Sequence, residues 1–269
     1  MRSFLLSLPA QLQLFVVVIT TIIVAFVSAV AVRQFFDVHQ LVSNIALVTS
    51  VYMVLGTLYA VLLAFSVTGV WQGFSKALMF VQLEADALTD MVHMVEAIDE
   101  KNLINFRVLA LNYAHVVLHD EWPTLADMRM NFFDAHEASH NSSMILLSAI
   151  LAIKPETERQ QIIFSQTLSL LNKWEDARRT RLRLARGDSA KALWPLLIAG
   201  GAILFAFHGL FVASSHAIGA VLLLGLSFTI GLAFYLIFTL DCPFTGMPKV
   251  EPTPFAWVLD ILRIEKNAN

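Results

Sequence analysis

His136-Glu137-Ala138-Ser139-His140 satisfies H-E-x-x-H, the pattern in which two histidines one helical turn apart hold zinc and the glutamate polarises a metal-bound water. The chemistry such a site performs is peptide hydrolysis. The extended form of the motif needs a glycine and a further histidine where this chain has Ser143 and Leu146. Glu156 and Glu158, the nearest acidic candidates for a third ligand, lie beyond the break at Pro155. A helix rich in Asn, Ser and His also reads as a solvated surface, so a membrane zinc metalloprotease is the less favoured reading. No enzyme activity, metal ligand or cofactor is assigned.

The other candidates for chemistry are sparse. His93, His115 and His119 show no clustering with carboxylates and read as surface or bundle-edge residues. His208 and His216 lie in or beside an apolar stretch, where a histidine either relays protons or hydrogen-bonds to a neighbouring helix. The single cysteine, Cys242, excludes an internal disulfide and any multi-cysteine metal site. A net charge of −3 gives no electrostatic reason to expect a nucleic-acid partner.

These residues must be positioned by elements made for lipid. The chain is 57% hydrophobic and 14% charged, with 20 Phe. No charge falls between Arg2 and Arg33, between Asp37 and Lys76, or between Lys191 and Asp241. About 20 such residues cross the ~30 Å hydrocarbon core as a helix. Four spans fit: about Leu12 to Val32, Ala46 to Phe74, Leu193 to Val212 and Ala217 to Leu240, the last two joined at Ala213-Ser214-Ser215-His216. The first stretch also has the outline of a secretory signal, with Arg2 before it and Ala29-Val30-Ala31 as a cleavage-like site, but its apolar run exceeds the ~7 to 15 residues of a signal core.

An even number of spans puts both termini and the middle region on one side. Arg178, Arg179, Arg181, Arg183, Arg186 and Lys191 precede the third span, and Arg2 and Lys76 flank the first two on the same face, whereas the opposite face offers Arg33. The positive-inside rule then places termini and middle region in the cytoplasm, with the protein in the inner (plasma) membrane.

Residues 76–191 hold 13 of the 18 basic and 16 of the 21 acidic residues and read as helical throughout. The second span continues without a break to about Ile98. A helix follows from about Leu103 to His119, a third starts near Pro123, and a fourth runs from about Pro155 to Arg186 and stops at Gly187. Pro243, Pro248, Pro252 and Pro254 make the tail extended before a short amphipathic helix from about Phe255 to Ile264. The fold class is therefore all-α: an integral membrane protein of four transmembrane helices in two hairpins around a cytoplasmic helical bundle. Its expected parts are residues 1–75, the first hairpin; 76–191, the cytoplasmic region continuous with the second span; 192–241, the second hairpin; and 242–269, the proline-rich tail.

The second span carries a pattern of its own. With about 100° per residue, Thr57, Val61, Ala64, Thr68, Gln72, Ser75, Met79, Gln82 and Asp86 share one stripe. Lipid cannot satisfy polar groups, so this stripe meets water or protein. Around an axis of several copies, Thr57, Val61, Ala64, Thr68 and Gln72 would line a pore. Alternatively, Gly56, Ala60 and Ala64 form a small-xxx-small series for close helix packing, and the stripe is buried. The Arg178–Lys191 cluster likewise reads either as a topology and headgroup determinant or as an electropositive vestibule for anions.

Three stretches carry a resemblance: Leu55-Gly56-Thr57-Leu58-Tyr59-Ala60 through Phe65, with Trp71 and Glu84-Ala85; Ala177-Arg178-Arg179 leading to Leu193-Trp194; and Leu240-Asp241-Cys242-Pro243-Phe244-Thr245-Gly246. Glu121-Trp122-Pro123 fits as well. Together they resemble the bestrophin-like family of bacterial and plant membrane proteins. The resemblance implies kinship with bestrophins, pentameric anion channels with four spans per subunit, cytoplasmic termini and a pore lined by the second span. The aromatic neck and calcium-binding acidic cluster of animal bestrophins have no counterparts here. Two functions follow as expectations: a homo-oligomeric, anion-conducting channel in the lipid bilayer whose partners are further copies and inorganic ions, or a non-conducting scaffold acting through its cytoplasmic helices.

Overall fold

The computed structural model describes residues 8–35, 45–98, 100–126, 132–187, 192–212, 216–245 and 247–268. Helices α1 (Ala10–Phe35), α2 (Ile45–Ile98), α3 (Glu100–Val116), a π-turn (Val117–Glu121), α4 (Trp122–Ala126), α5 (Phe132–Leu151), α6 (Glu158–Leu184), α7 (Trp194–Val212), α8 (His216–Leu240) and α9 (Thr253–Ala268) follow in order, with no strand among the described residues. The chain divides into two compact units, residues 1–73 with 187–241 and residues 74–186 with 242–269.

In the first unit, α1 packs on α7 and α8, which pack on each other. Ala25, Ala29, Tyr59, Leu204, Phe205, Leu223 and Ile230 form its core. Apolar side chains gain nothing by leaving lipid for protein, so close approach must supply the attraction. A Cβ on Gly209 would stand 2.6 Å from the Cα of Ala29, which is why the α1–α7 crossing needs glycine there. Serine and threonine hydroxyls bond within their own helices, for example Thr21 to Val17 O at 2.9 Å and Ser66 to Leu62 O at 2.8 Å. Among the described residues, three helices are long and apolar enough to cross a membrane, Ala10–Val32, Ala46–Ile98 and Ala217–Leu240, while α7 offers a shorter apolar run, Trp194–Leu210. The expected turn at Ala213-Ser214-Ser215 lies outside the described residues.

The second unit is a bundle with an aromatic and ionic core. Trp174, Arg181, Tyr113, Phe244, Phe255, Leu88 and Met91 are among its largest fully buried side chains. α6 begins at Glu158 rather than Pro155. Thr157 accepts the Gln160 N–H at 3.2 Å while the Gln160 side chain accepts the Thr157 N–H at 3.0 Å, so this capping box fixes the start. Gly187, at φ 59°, follows the end of the helix in the left-handed conformation that glycine adopts without strain. The tail returns to the bundle: Phe244 and Phe255 stand 5.3 and 6.3 Å from Trp122, edge to face.

Candidate functional site

α2 presents the expected stripe outward. Thr57, Val61, Ala64, Thr68 and Gln72 are all exposed on the single chain. The hydroxyls of Thr57 and Thr68 donate to Met53 O and Ala64 O of their own helix, each at 2.9 Å. Helical Thr that back-bonds in this way leaves its methyl and an acceptor lone pair on the surface. The packed face of α2 in this unit is a different one. Tyr59 is buried against Gly200 and Gly201, and its hydroxyl donates to Leu197 O at 3.0 Å. Of the three small residues read as packing positions, Gly56 is half-buried near Leu204, whereas Ala60 and Ala64 are exposed.

His208 is buried and fully partnered. Its Nδ1 accepts the Tyr52 hydroxyl at 3.1 Å and its Nε2 faces the carbonyl of Gly219 at 3.4 Å. The tautomer carrying hydrogen on Nε2 satisfies both nitrogens, so this histidine ties α2, α7 and α8 together. The side chain of His216 lies outside the described residues.

Within the second unit, the residues that could do chemistry converge at a place the H-E-x-x-H pattern does not indicate. Arg181, on α6, is fully buried. It donates from Nε to Glu84 Oε2 at 2.7 Å and from Nη2 to Glu84 Oε1 at 3.0 Å, a bidentate pair with α2. Its Nη1 donates to Glu121 Oε1, at the end of the π-turn. Tyr113 of α3 donates to Glu84 Oε1 at 2.5 Å. Ser139 of α5 donates to Glu121 Oε2 and accepts from Arg178 Nη2 at 2.7 Å. Two carboxylates thus face two guanidinium groups. The Arg181 plane lies 5.6 Å from the centres of both Trp122 and Phe255.

The π-turn explains how one stretch contributes twice to this cluster. Four residues of α-helix advance about 400°, so an i, i+4 series drifts about 40° per step. A π-turn is wider and advances less per residue, which cancels much of the drift. Tyr113, Val117 and Glu121, four apart, are all fully buried on one line. Burial works against charge on Arg181, but Glu121 and Glu84 outweigh it and hold its pKa well above the ordinary value. Burial, then Glu84 and Glu121, raises the Tyr113 hydroxyl well above its usual 10.0. The network is charge-balanced and its acceptors are occupied, so it fastens five segments rather than awaiting a substrate.

These contacts alter two sequence readings. Arg178 and Arg181 are buried and bonded, hence neither faces lipid headgroups nor a vestibule. In H-E-x-x-H, Ser139 points inward to Glu121 while Glu137 and His140 are exposed; the side chain of His136 lies outside the described residues. Among the described residues, no group of three or more His, Cys, Asp or Glu is placed to hold a metal. Sequence reasoning missed the network because its bonded members lie 18 to 97 residues apart, as the Ser139–Glu121 and Arg181–Glu84 bonds show.

The Bestrophin-like domain profile matches residues 19–255. No curated protein matches the chain. Several solved structures have the same fold, among them single-substitution variants of a bacterial bestrophin homologue from Klebsiella pneumoniae. One is 13% identical with a TM-score of 0.69, over 95% of this chain and 99% of that one. Another is 12% identical with a TM-score of 0.68, over 93% and 97%. A third is 13% identical, again with a TM-score of 0.68, over 94% and 96%. With its apolar helices, the match across most of its length and this shared fold, the chain belongs to the bestrophin-like family of membrane proteins.

Proposed function

We propose that the protein is a homo-oligomeric ion channel whose pore is lined by the membrane part of α2. The observation that carries this reading is the polar stripe left exposed on the single chain, while the opposite side of the same helix is buried through Tyr59. Exposed Thr and Gln inside a bilayer need water or protein against them. Several copies around an axis supply a wet wall of Thr57, Thr68 and Gln72, with Val61 and Ala64 as apolar constrictions. Ala60, beside this wall, and Gly56 would then serve close packing between neighbouring copies.

In this reading α1, α2, α7 and α8 cross the inner membrane as two hairpins, with both termini and residues 76–191 in the cytoplasm. A pentamer is the assembly the family kinship suggests. The permeant ions are inorganic anions, a preference to which exposed Arg183 and Arg186 contribute once Arg178 and Arg181 are committed to the core.

Purified protein in planar bilayers is the test. Thr68→Trp should abolish current, Leu58→Trp, off the stripe, should preserve it, and reversal potentials in asymmetric chloride give the ion sign. Current indifferent to bulk along the stripe overturns the pore assignment. A second reading, a scaffold docking another protein, is favoured by one observation: α9 exposes Trp257, Ile261 and Ile264. It requires the absence of current under every ionic condition.

A further inference from the structure

We propose that His115 and His119 form a surface site for a divalent transition-metal ion of the copper, nickel and zinc class. Both side chains are exposed, and their ring centres lie 4.2 Å apart at a tilt of 42°. Histidines four apart on one helical face are a chelating pair, with each imidazole giving one nitrogen at about 2.0 to 2.1 Å from zinc.

The backbone improves on the usual spacing. In an unbroken α-helix the two side chains would be offset by about 40° around the axis. His115 lies in the last turn of α3 and His119 inside the π-turn Val117–Glu121. The smaller advance per residue there removes part of that offset and sets one ring beside the other. The same geometry that aligns Tyr113, Val117 and Glu121 inward thus aligns the histidine pair outward. Imidazole suits copper, nickel and zinc, and at a site of fixed ligands copper binds most tightly. Two protein nitrogens leave the remaining positions to water, so the site is open.

Binding has a mechanical consequence. A metal bridging His115 and His119 clamps the α-to-π junction, and that junction delivers Glu121 to Arg181 and Ser139. A ligand that binds only the folded turn raises the unfolding temperature.

The test uses full-length protein in mild detergent, with any affinity tag removed and the metal stripped by chelator. Equilibrium dialysis against Cu²⁺ should give one equivalent per chain that is lost in His115→Ala and equally in His119→Ala, and retained in His140→Ala. Electron paramagnetic resonance of the bound copper should show two equatorial imidazole nitrogens. Zn²⁺ should raise the unfolding temperature of the wild type and leave both variants unmoved. Saturable binding that survives either substitution, or that disappears with His140→Ala, overturns the assignment, as does the absence of saturable copper binding in the wild type. The outcome does not depend on whether the protein conducts ions.

Discussion

In the first unit helices are seated by closeness, Gly209 on Ala29 and Tyr59 on Gly200; serine and threonine hydroxyls such as Ser66 and Thr21 turn back on their own backbones, and the polar ties between helices come from single tyrosine hydroxyls. In the second, a fully buried arginine shared between two glutamates ties together segments far apart in sequence. In the proposed topology the contrast follows from solvent. Lipid offers no hydrophobic drive and no shelter for a charge, so a helix meant for it satisfies its polar atoms within itself or with a packed neighbour and approaches that neighbour through small residues. A bundle that collapses on its own apolar surface keeps a charge inside it when an opposite charge and further hydrogen bonds meet it.

The contrast breaks most severely at Arg181. Arg181→Met removes the cation and leaves Glu84 and Glu121 buried together, and the loss of one member of a buried ion cluster costs about 3 to 5 kcal/mol. We expect chemical denaturation in detergent to show that loss, with hydrogen exchange rising in α3, α5 and α6. Normal stability in this variant would show that aromatic packing, not charge pairing, holds the second unit.

Gly209→Val probes the other side of the comparison. Its Cβ would fall 2.6 Å from the Cα of Ala29, inside any allowed contact, and overpacking of this kind costs about 1 to 3 kcal/mol. We expect a lowered unfolding temperature with protection in the second unit retained, which separates the two modes of assembly. An unchanged melting curve would show that the α1–α7 crossing is loose.

Tyr113→Phe sharpens the comparison most gently. It deletes one hydrogen bond to a charged acceptor, worth about 1.5 kcal/mol. The folded-state pKa of Tyr113 is raised above the unfolded value. Its contribution is therefore fully present below the unfolded pKa and is lost as the pH climbs from there towards the folded one. Between pH 8 and about pH 11 the wild type should lose more stability than Tyr113→Phe. Parallel losses would mean that Tyr113 ionises in the folded protein as freely as in the unfolded chain.

Where periodicity and punctuation carry the information, local reading reached far. Uncharged stretches marked the apolar helices, α2 runs to Ile98, and Gly187 follows the end of α6. Pro155 misled by a few residues, because the capping box at Thr157 and Gln160 competes better for the helix start. The expected helix end near His119 and restart at Pro123 are also corrected: the helical run continues from Glu100 to Ala126, and the π-turn Val117–Glu121 lets it pass into Pro123, whose ring and missing N–H disfavour an unbroken α-helix.

By itself the sequence determined a helical chain made for lipid, with its charges gathered in the middle. Helix formation and membrane affinity are summed over neighbouring residues, and neighbours are what a sequence records. Tertiary structure alone decided which arginines are buried, that Ser139 belongs to the core, and that His115 and His119 stand side by side. Each of those outcomes depends on groups brought together from distant positions or on a backbone distortion inside a helix that periodicity does not record.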